Sequence, residues 1–404
     1  MTQRPAVVFG LLWAGLALAR SLGRSGVPVT GVAFEPTDFG VRSRHLTRRV
    51  AATGDRDELL LAALREAARD GRPVLFPERD ESVHVVLRNW DEVRELADLP
   101  LPDDAQIVEK LRRKDLLRAE AERAGVPLPT TITPDGEESI RTSGLRPPYL
   151  IKPVTGQEFA YMFGEKLFVA DDVDSAVAAW RKASEHGFET VVQELIPGSQ
   201  EKIYSLFTYI GREGEALASV VGRKLRQGPL RFGTSAVFLV EFDERVLDLG
   251  LRLLRCAGYS GFAQVEFAHD ARDDTFRVLE VNTRLPMWAG VAMSRWFDLA
   301  QIAYDDLCGK PAPPPRTFRE DVAWVYFAKD AWVGMQMLRR RDIGLRDFAT
   351  PYLRRKKVRS TFAADDPLPA LASMTYLRSK LGSGSDSRPN TIGVASASAA
   401  KTKK

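Results

Sequence analysis

One stretch of the 404-residue sequence, Gly261 to Arg284, constrains the fold more than any other. Two short apolar runs with alternating polar positions flank a polar cluster, Asp270 to Asp274, and this pattern predicts a β-hairpin. A turn centred near Asp273 would place Glu266 directly opposite Glu280. Two carboxylates opposed across a strand pair repel each other, so the pattern predicts a positive charge between them.

The hairpin predicts a magnesium site. Because side chains alternate along a strand, Gln264 and Asn282 would lie beside the two glutamates on one face. Mg2+ prefers hard oxygen ligands, and Mn2+ accepts the same donors, so Glu266, Glu280 and the Asn282 amide oxygen form a candidate metal site. Arg284 follows on the same face, where its cation would suit phosphate oxygens. An ordinary hairpin with solvated acids is the alternative, but the apolar flanks favour a site.

The composition favours a globular protein of two or three domains in a reducing, cytoplasmic environment. The 58 Lys and Arg residues are interleaved with 54 Asp and Glu residues, so a net charge of +4 does not predict a nucleic-acid partner. Cys256 and Cys308 lie in apolar helical contexts, and the four histidines are scattered. Neither a disulfide framework nor a zinc site is therefore indicated.

Residues 5 to about 100 predict a small parallel α/β domain that opens with a strand, a helix from Ala14 to Ser25 and a second strand. This order is favoured over a signal peptide, which the apolar run after Arg4 also resembles. Gly10 and Gly15 do not follow the GxGxxG pattern and indicate a tight turn, although a substrate carboxylate could use the helix N-terminus. No run is long enough for a membrane span.

The middle of the chain carries cations on predicted helices and strands. Residues 107–125 predict one helix bearing Lys114, and LIKPV predicts a strand in which Lys152 is costly unless it meets an anion. Residues 155–166 predict a mobile lid. The segment 223–235 predicts either a phosphate or carboxylate pocket or a solvated loop. Its polar residues are Arg223, Lys224, Arg226, Arg231, Thr234 and Ser235.

The C-terminal part begins with a stiff linker, PAPPP at 311–315. Residues 318 to about 380 mix aromatic residues with the basic runs 339–341 and 354–357. An accessory cap on the core is the favoured interpretation, with a nucleic-acid patch and a surface for anionic lipid as alternatives. The last residues contain few large apolar side chains, which predicts a disordered tail.

These segments together resemble the ATP-grasp superfamily, and more narrowly its carboxylate–amine ligase-like members, over about residues 5–310. The resemblance rests on KLRRKDLLRAEAERAGVPLP, LIKPV, VVQELIPG, and above all on QVEFAHD followed by VLEVNTR. It implies an α/β (α+β grasp) fold with an N-terminal Rossmann-like parallel α/β domain, a two-subdomain ATP-grasp fold and a C-terminal extension. The predicted segments are 1–105, 106–188 and 189–310, followed by the accessory segment 311–381 and the tail 382–404.

The resemblance also implies roles for individual residues. The implied contacts to ATP are Lys114 and Lys152 on its phosphates, Glu194 and the Leu195 backbone on adenine, and Gln200 or Glu201 on ribose. The implied magnesium ligands are Glu266, Glu280 and Asn282. The implied contacts to the transferring phosphate or acyl phosphate are Arg284 and Arg223.

The implied activity is a Mg-ATP-dependent ligase for small molecules. A carboxylate would attack the γ-phosphate, and an amine would then attack the acyl phosphate to form an amide or peptide bond. A non-catalytic ATP-binding sensor or adaptor of the same fold is the alternative. A glycoside hydrolase could also use two opposed carboxylates, but it would leave Lys114 and Lys152 unexplained.

Overall fold

The computed structural model describes residues 3–154, 157–198, 202–230, 232–354 and 356–382. In this part of the chain a parallel sheet is followed by a small antiparallel sheet and then by a large mixed sheet. The predicted α/β architecture is confirmed. No helix within these ranges is long and apolar enough to cross a bilayer.

The N-terminal domain contains a four-stranded parallel sheet in the order β3-β2-β1-β4. Its strands are β1 (Ala6–Phe9), β2 (Val29–Val32), β3 (Arg48–Val50) and β4 (Val74–Pro77). Its helices are α1 (Trp13–Arg24), α2 (Arg56–Ala67), α3 (Asp80–Arg88) and α4 (Trp90–Leu96). The apolar run after Arg4 therefore folds as β1 and α1, which is the predicted βαβ opening.

The turn between β1 and α1 is tight, and two glycines allow it. Gly10 has a φ of +99°, and a Cβ atom at Gly15 would lie 2.1 Å from the Gly10 carbonyl oxygen. The two backbone N–H groups after Gly10 donate to the carboxylates of Asp38 and Glu78, at 3.2 and 3.0 Å. These buried acids already occupy the helix N-terminus that was considered above as a binding site for a substrate carboxylate. An anion there would meet like charge.

The second sheet is antiparallel, in the order β5-β8-β6-β7. Its strands are β5 (Thr131–Ile132), β6 (Tyr149–Pro153), β7 (Phe168–Ala170) and β8 (Thr190–Glu194). The helices before and around it are α5 (Ala105–Arg112), α6 (Lys114–Arg123), α7 (Glu137–Arg141), α8 (Gln157–Phe163) and α9 (Val173–Glu185).

The single helix predicted over 107–125 is wrong, because the chain breaks at Arg113. This residue has φ −82° and ψ 124°, so it ends α5 and begins α6. Its guanidinium binds the Asp115 carboxylate at 2.9 Å and Glu189 at 3.1 Å. These contacts hold the extended residue, and Lys114 becomes the first residue of a new helix.

The large sheet has the order β13-β12-β9-β10-β11-β17-β18, with β16 beside β10. Its first strands are β9 (Ile203–Ile210), β10 (Ala216–Gly228), β11 (Thr234–Val240), β12 (Gly261–Asp270) and β13 (Thr275–Asn282). A separate pair follows, β14 (Met293–Ser294) and β15 (Phe297–Asp298). The last strands are β16 (Arg316–Phe318), β17 (Val322–Val325) and β18 (Lys356–Arg359). The helices are α10 (Glu244–Cys256), α11 (Leu299–Leu307), α12 (Phe327–Arg340), α13 (Leu345–Leu353) and α14 (Leu368–Gly382).

The C-terminal extension is part of the large sheet, so the interpretation as an accessory cap is wrong. Strand β16 pairs with β10, β17 pairs with β11, and β18 pairs with β17. Trp324 in β17 is 1% exposed and belongs to the same apolar core as Leu18 of α1. Asp366, just before α14, forms a buried ion pair with Arg20 of α1 at 2.9 Å. The extension therefore completes the sheet and returns to the N-terminal domain.

Candidate active site

The hairpin β12–β13 places Glu266 opposite Glu280, as predicted, but this register requires a bulge. From the turn, the two strands pair regularly from Asp270 and Thr275 up to Phe267 and Val278. Continuing it would set Leu279 opposite Glu266. The register instead shifts by one residue, so that Glu266 pairs with Glu280. Because a slip of one residue exchanges the two faces of a strand, the bulge at Leu279 brings both carboxylates to one face.

The carboxylates are held by neighbouring amides and by a lysine. The Gln264 amide donates to Glu266 at 2.8 Å, and the Asn282 amide donates to Glu280 at 3.1 Å. The other oxygen of Glu266 accepts from the Lys224 ammonium on β10, also at 2.8 Å. Lys224 thus supplies positive charge that the opposed acids require.

Cations keep Glu280 ionised. Burial alone would raise the pKa of Glu280, but Lys224, Lys114, the Asn282 amide and Lys166 outweigh burial and lower the pKa below its ordinary value. These lysines come from β10, the start of α6 and the segment after α8. The site is therefore assembled from both sheets.

Lys114 and Lys152 face a cavity between the small sheet and the hairpin. Its lining includes Lys114, Lys152, Val191, Gln193, Val278 and Leu279. Lys152 on β6 donates to the Gln193 side chain, and burial together with the charge of Lys114 lowers the pKa of Lys152 to about 8. Burial also lowers the pKa of Lys114, while Glu280 opposes that change. Two half-buried ammonium groups that repel each other would be stabilised by a bound anion.

Arg284 connects the hairpin to the N-terminal domain. Its guanidinium binds the Asp80 carboxylate at the start of α3, at 2.8 Å, and donates to the Asn282 amide oxygen at 3.3 Å. Burial would raise the pKa of Asp80, but Arg284 outweighs it and the pKa falls to about 2. Asp80 could not be recognised from the sequence, because 204 positions separate it from Arg284 and no local pattern joins them.

The predicted basic segment divides between the two faces of the sheet. Arg223 binds Glu241 at 2.7 Å, and its face is opposite to that of Lys224, because side chains alternate along β10. Arg226 is buried in an ion pair with Asp330. The structure thus brings Lys224 to the carboxylates and does not bring Arg223 there. Arg231 lies outside the described residues.

The predicted adenine contacts lie where the chain crosses from β8 to β9, between the two sheets. The Glu194 carboxylate accepts from the Arg146 backbone N–H at 2.9 Å. The Leu195 N–H donates to the Pro148 carbonyl at 2.9 Å, so Leu195 could offer adenine only its carbonyl oxygen. Gln200 and Glu201, the predicted ribose contacts, lie outside the described residues.

Residues 157–166 of the predicted lid are described, and Thr155 and Gly156 lie outside the described residues. It forms the short helix α8, whose Phe159 is fully buried against Phe163 and Phe168, at ring distances of 4.7 and 5.0 Å. Lys166 follows this helix. Burial lowers the pKa of Lys166, and the negative charge of Glu280 opposes this change. The segment therefore delivers a cation to the site, and its closure stays a prediction.

The donor set fits a hard divalent cation completed by a nucleotide. The described residues contain no group of three or more His, Cys, Asp or Glu side chains that could hold a metal ion. The candidate set consists of two carboxylates and an amide oxygen, Glu266, Glu280 and Asn282. Mg2+ is often bound by one or two carboxylates together with phosphate oxygens, so a fuller acidic cage is not required.

Comparisons with known proteins find similar sequences and a similar fold. The profile of the family described as "Carbamoyl-phosphate synthase L chain, ATP binding domain" matches residues 220–303. The D-aspartate ligase of Enterococcus faecium (strain Aus0004) is 23% identical over 166 residues, which are 39% of each chain. The D-alanine–D-alanine ligase of Gluconobacter oxydans (strain 621H) is 26% identical over 193 residues, 46% of this chain and 61% of that relative.

The aligned regions span less than two thirds of these relatives' own lengths. Among solved structures, N5-carboxyaminoimidazole ribonucleotide synthetase in complex with ADP superimposes with a TM-score of 0.62 and 16% identity. That match covers 85% of this chain and 86% of the other. The shared fold therefore extends over most of the chain.

Proposed function

We propose that this chain is an ATP-grasp enzyme, an ATP-dependent carboxylate–amine ligase that forms an amide or peptide bond through an acyl phosphate. Its substrates would be a small carboxylic acid, an amine and Mg-ATP. The resemblance to D-aspartate and D-alanine–D-alanine ligases supports small acids and amines as the substrate class.

One observation carries the proposal: cations from three parts of the fold converge on the paired carboxylates. Lys224 binds Glu266, while Lys114 and Lys166 act on Glu280. A glycoside hydrolase would need the two acids but not these lysines. Phosphoryl transfer needs both, because negative charge spreads over the phosphoryl oxygens in the transition state, where the lysines and a carboxylate-bound metal would neutralise it.

The proposed chemistry has two steps. In the first, an oxygen of the substrate carboxylate forms a bond to the γ-phosphorus, the bond from that phosphorus to the β,γ-bridging oxygen breaks, and ADP leaves. In the second, the amine nitrogen bonds to the acyl carbon, loses a proton, and phosphate leaves with one former carboxylate oxygen. Bound Mg2+ would neutralise phosphate charge.

The chain's own residues would position and neutralise the phosphates. Lys114 and Lys152 would bind them from the small-sheet side of the cavity, and Arg284 would approach from the hairpin. Glu266, Glu280 and Asn282 would hold the metal. Water must be excluded from an acyl phosphate, and α8 with Lys166 is the segment proposed to cover it.

The test is ADP release by the purified protein with Mg-ATP and a panel of amino acids and other small carboxylates, each with and without amine acceptors. The proposal predicts release that requires both an acid and an amine, and a loss of about 100-fold or more in Glu280→Gln. The matched control is Glu241→Gln, whose carboxylate pairs with Arg223 on the other face. ATP binding without stimulated release would favour the sensor or adaptor instead.

A further inference from the structure

The C-terminal extension contributes a lysine that has no role in the predicted site or in the proposed function. Lys329 lies in the first turn of α12, and its ammonium donates to the Thr234 carbonyl at 3.0 Å and to the Thr234 hydroxyl. Thr234 begins β11 and pairs with Gly228 at the end of β10. A Cβ atom at Gly228 would lie 2.9 Å from the Lys329 Cε atom. The lysine is therefore packed closely against this end of the strand pair.

Lys329 faces other cations and has no acidic partner. Lys166 and Lys224 are near enough to add to the effect of burial, and together they lower the pKa of Lys329 to about 8. In the described part of the chain no carboxylate forms an ion pair with Lys329, and Glu266 is paired with Lys224 instead. A half-buried ammonium group among like charges is unfavourable unless an anion joins it.

The charges are arranged in sequence across the site. The strand order of the large sheet places Glu280 on β13, Glu266 on β12, Lys224 on β10 and Thr234, the partner of Lys329, at the start of β11. Lys114 and Lys152 line the cavity at the β13 end of this order, beside Val278 and Leu279. An anion at Lys329 would lie on the side of the cluster away from the nucleotide lysines.

We infer that Lys329, with the Thr234 hydroxyl, binds a carboxylate of the acid substrate. This inference rests on the proposed function, since it assigns the acid to one side of the phosphoryl-transfer site. The extension after the proline linker then completes the substrate site as well as the sheet. Lys166 and Lys224 would add to the attraction for the anion.

Kinetics of a substituted protein provide the first test. Lys329→Met should raise the KM for the acid about 10- to 100-fold, as expected for one lost charge-assisted hydrogen bond, and leave the KM for ATP within about twofold. Arg339→Met, at the exposed end of the same helix, is the matched control and should change neither value. Equal increases in both KM values, or no increase, would overturn the inference.

A labelling experiment on the unaltered protein separates this inference from the proposed function. Lysines are acylated briefly at pH 8 and quantified by mass spectrometry, with each acid of the panel or with Mg-ATP alone. At least one acid should reduce labelling of Lys329 about fivefold or more, while exposed Lys310 should not change. Protection by Mg-ATP alone, or by no acid, would overturn the inference. Protection without ADP release would refute the ligase but keep the carboxylate site.

Discussion

The ion pair between Arg226 and Asp330 should be a major contribution to stability, because it joins the extension to the large sheet in the interior. Arg226 is 3% exposed and Asp330 is 0% exposed. Two parallel hydrogen bonds connect them, at 2.6 and 2.8 Å. Arg226 also donates to two carbonyl groups of α13, at 3.2 Å each.

The size of the effect follows from burial. Replacing Arg226 by Met leaves the Asp330 carboxylate buried, with only the Tyr352 hydroxyl among described side chains to donate to it. Removing one partner of a buried ion pair lowers the free energy of unfolding by about 3–5 kcal/mol. Replacing both residues, as in Arg226→Met with Asp330→Leu, removes the unpaired charge and should restore most of the loss.

A second ion pair provides a matched control. Arg24 and Asp365 form the same two-bond geometry at 2.8 and 2.7 Å, but their side chains are 42% and 48% exposed. Arg24→Met should therefore cost only about 0–1 kcal/mol.

The assay is urea unfolding of the four proteins, with differences in free energy taken from the midpoint shift and a common slope. Tryptophan fluorescence reports the transition, since Trp324 is buried in the same sheet. If Arg226→Met costs no more than Arg24→Met, the reasoning from burial is wrong. An unchanged loss in the double variant would also refute it.

Three further predictions concern the site. Burial and Lys114 lower the pKa of Lys152 to about 8, so kcat/KM for ATP should fall as pH rises through that value, because the neutral amine no longer attracts phosphate; a flat profile to pH 9.5 or so would contradict this. Arg284 lowers the pKa of Asp80 to about 2. The stabilisation from this ion pair is therefore fully present above the ordinary pKa of an aspartate and is lost as the pH falls towards 2. The stability difference between wild type and Arg284→Met should therefore shrink between about pH 5 and 2 in unfolding curves, and a constant difference would count against the pairing. Deleting Leu279 removes the bulge and should abolish Mg-ATP binding measured by calorimetry, whereas Leu279→Ala should keep it within about tenfold; equal affinities would exclude the register argument.

Local patterns in the sequence predicted most of the fold that surrounds the site. A turn centred near Asp273 was predicted to oppose Glu266 and Glu280, and the structure reaches that register by a bulge that no pattern marks. Strand β1 and helix α1 were also predicted, because an apolar run interrupted by a glycine turn is typical of a strand followed by a helix.

The parts that escaped prediction depend on contacts between distant residues. Helix formers run without a break through Arg113, so no local pattern marks the break, where Arg113 contacts both Asp115 and Glu189, 76 positions away. Asp80, Lys224 and Lys329 join the cluster only when the sheets are assembled. Alternation could have separated Arg223 from Lys224, because neighbouring side chains on a strand face opposite ways.

The most direct test of the central claim follows an oxygen atom. The acid that supports ADP release is prepared with its carboxylate labelled by oxygen-18, and the phosphate formed during turnover with the amine is examined by mass spectrometry. A ligase that works through an acyl phosphate must transfer one labelled oxygen to each phosphate released. Phosphate without the label would mean that ATP is cleaved by water or that the acid is activated differently, and it would contradict the account.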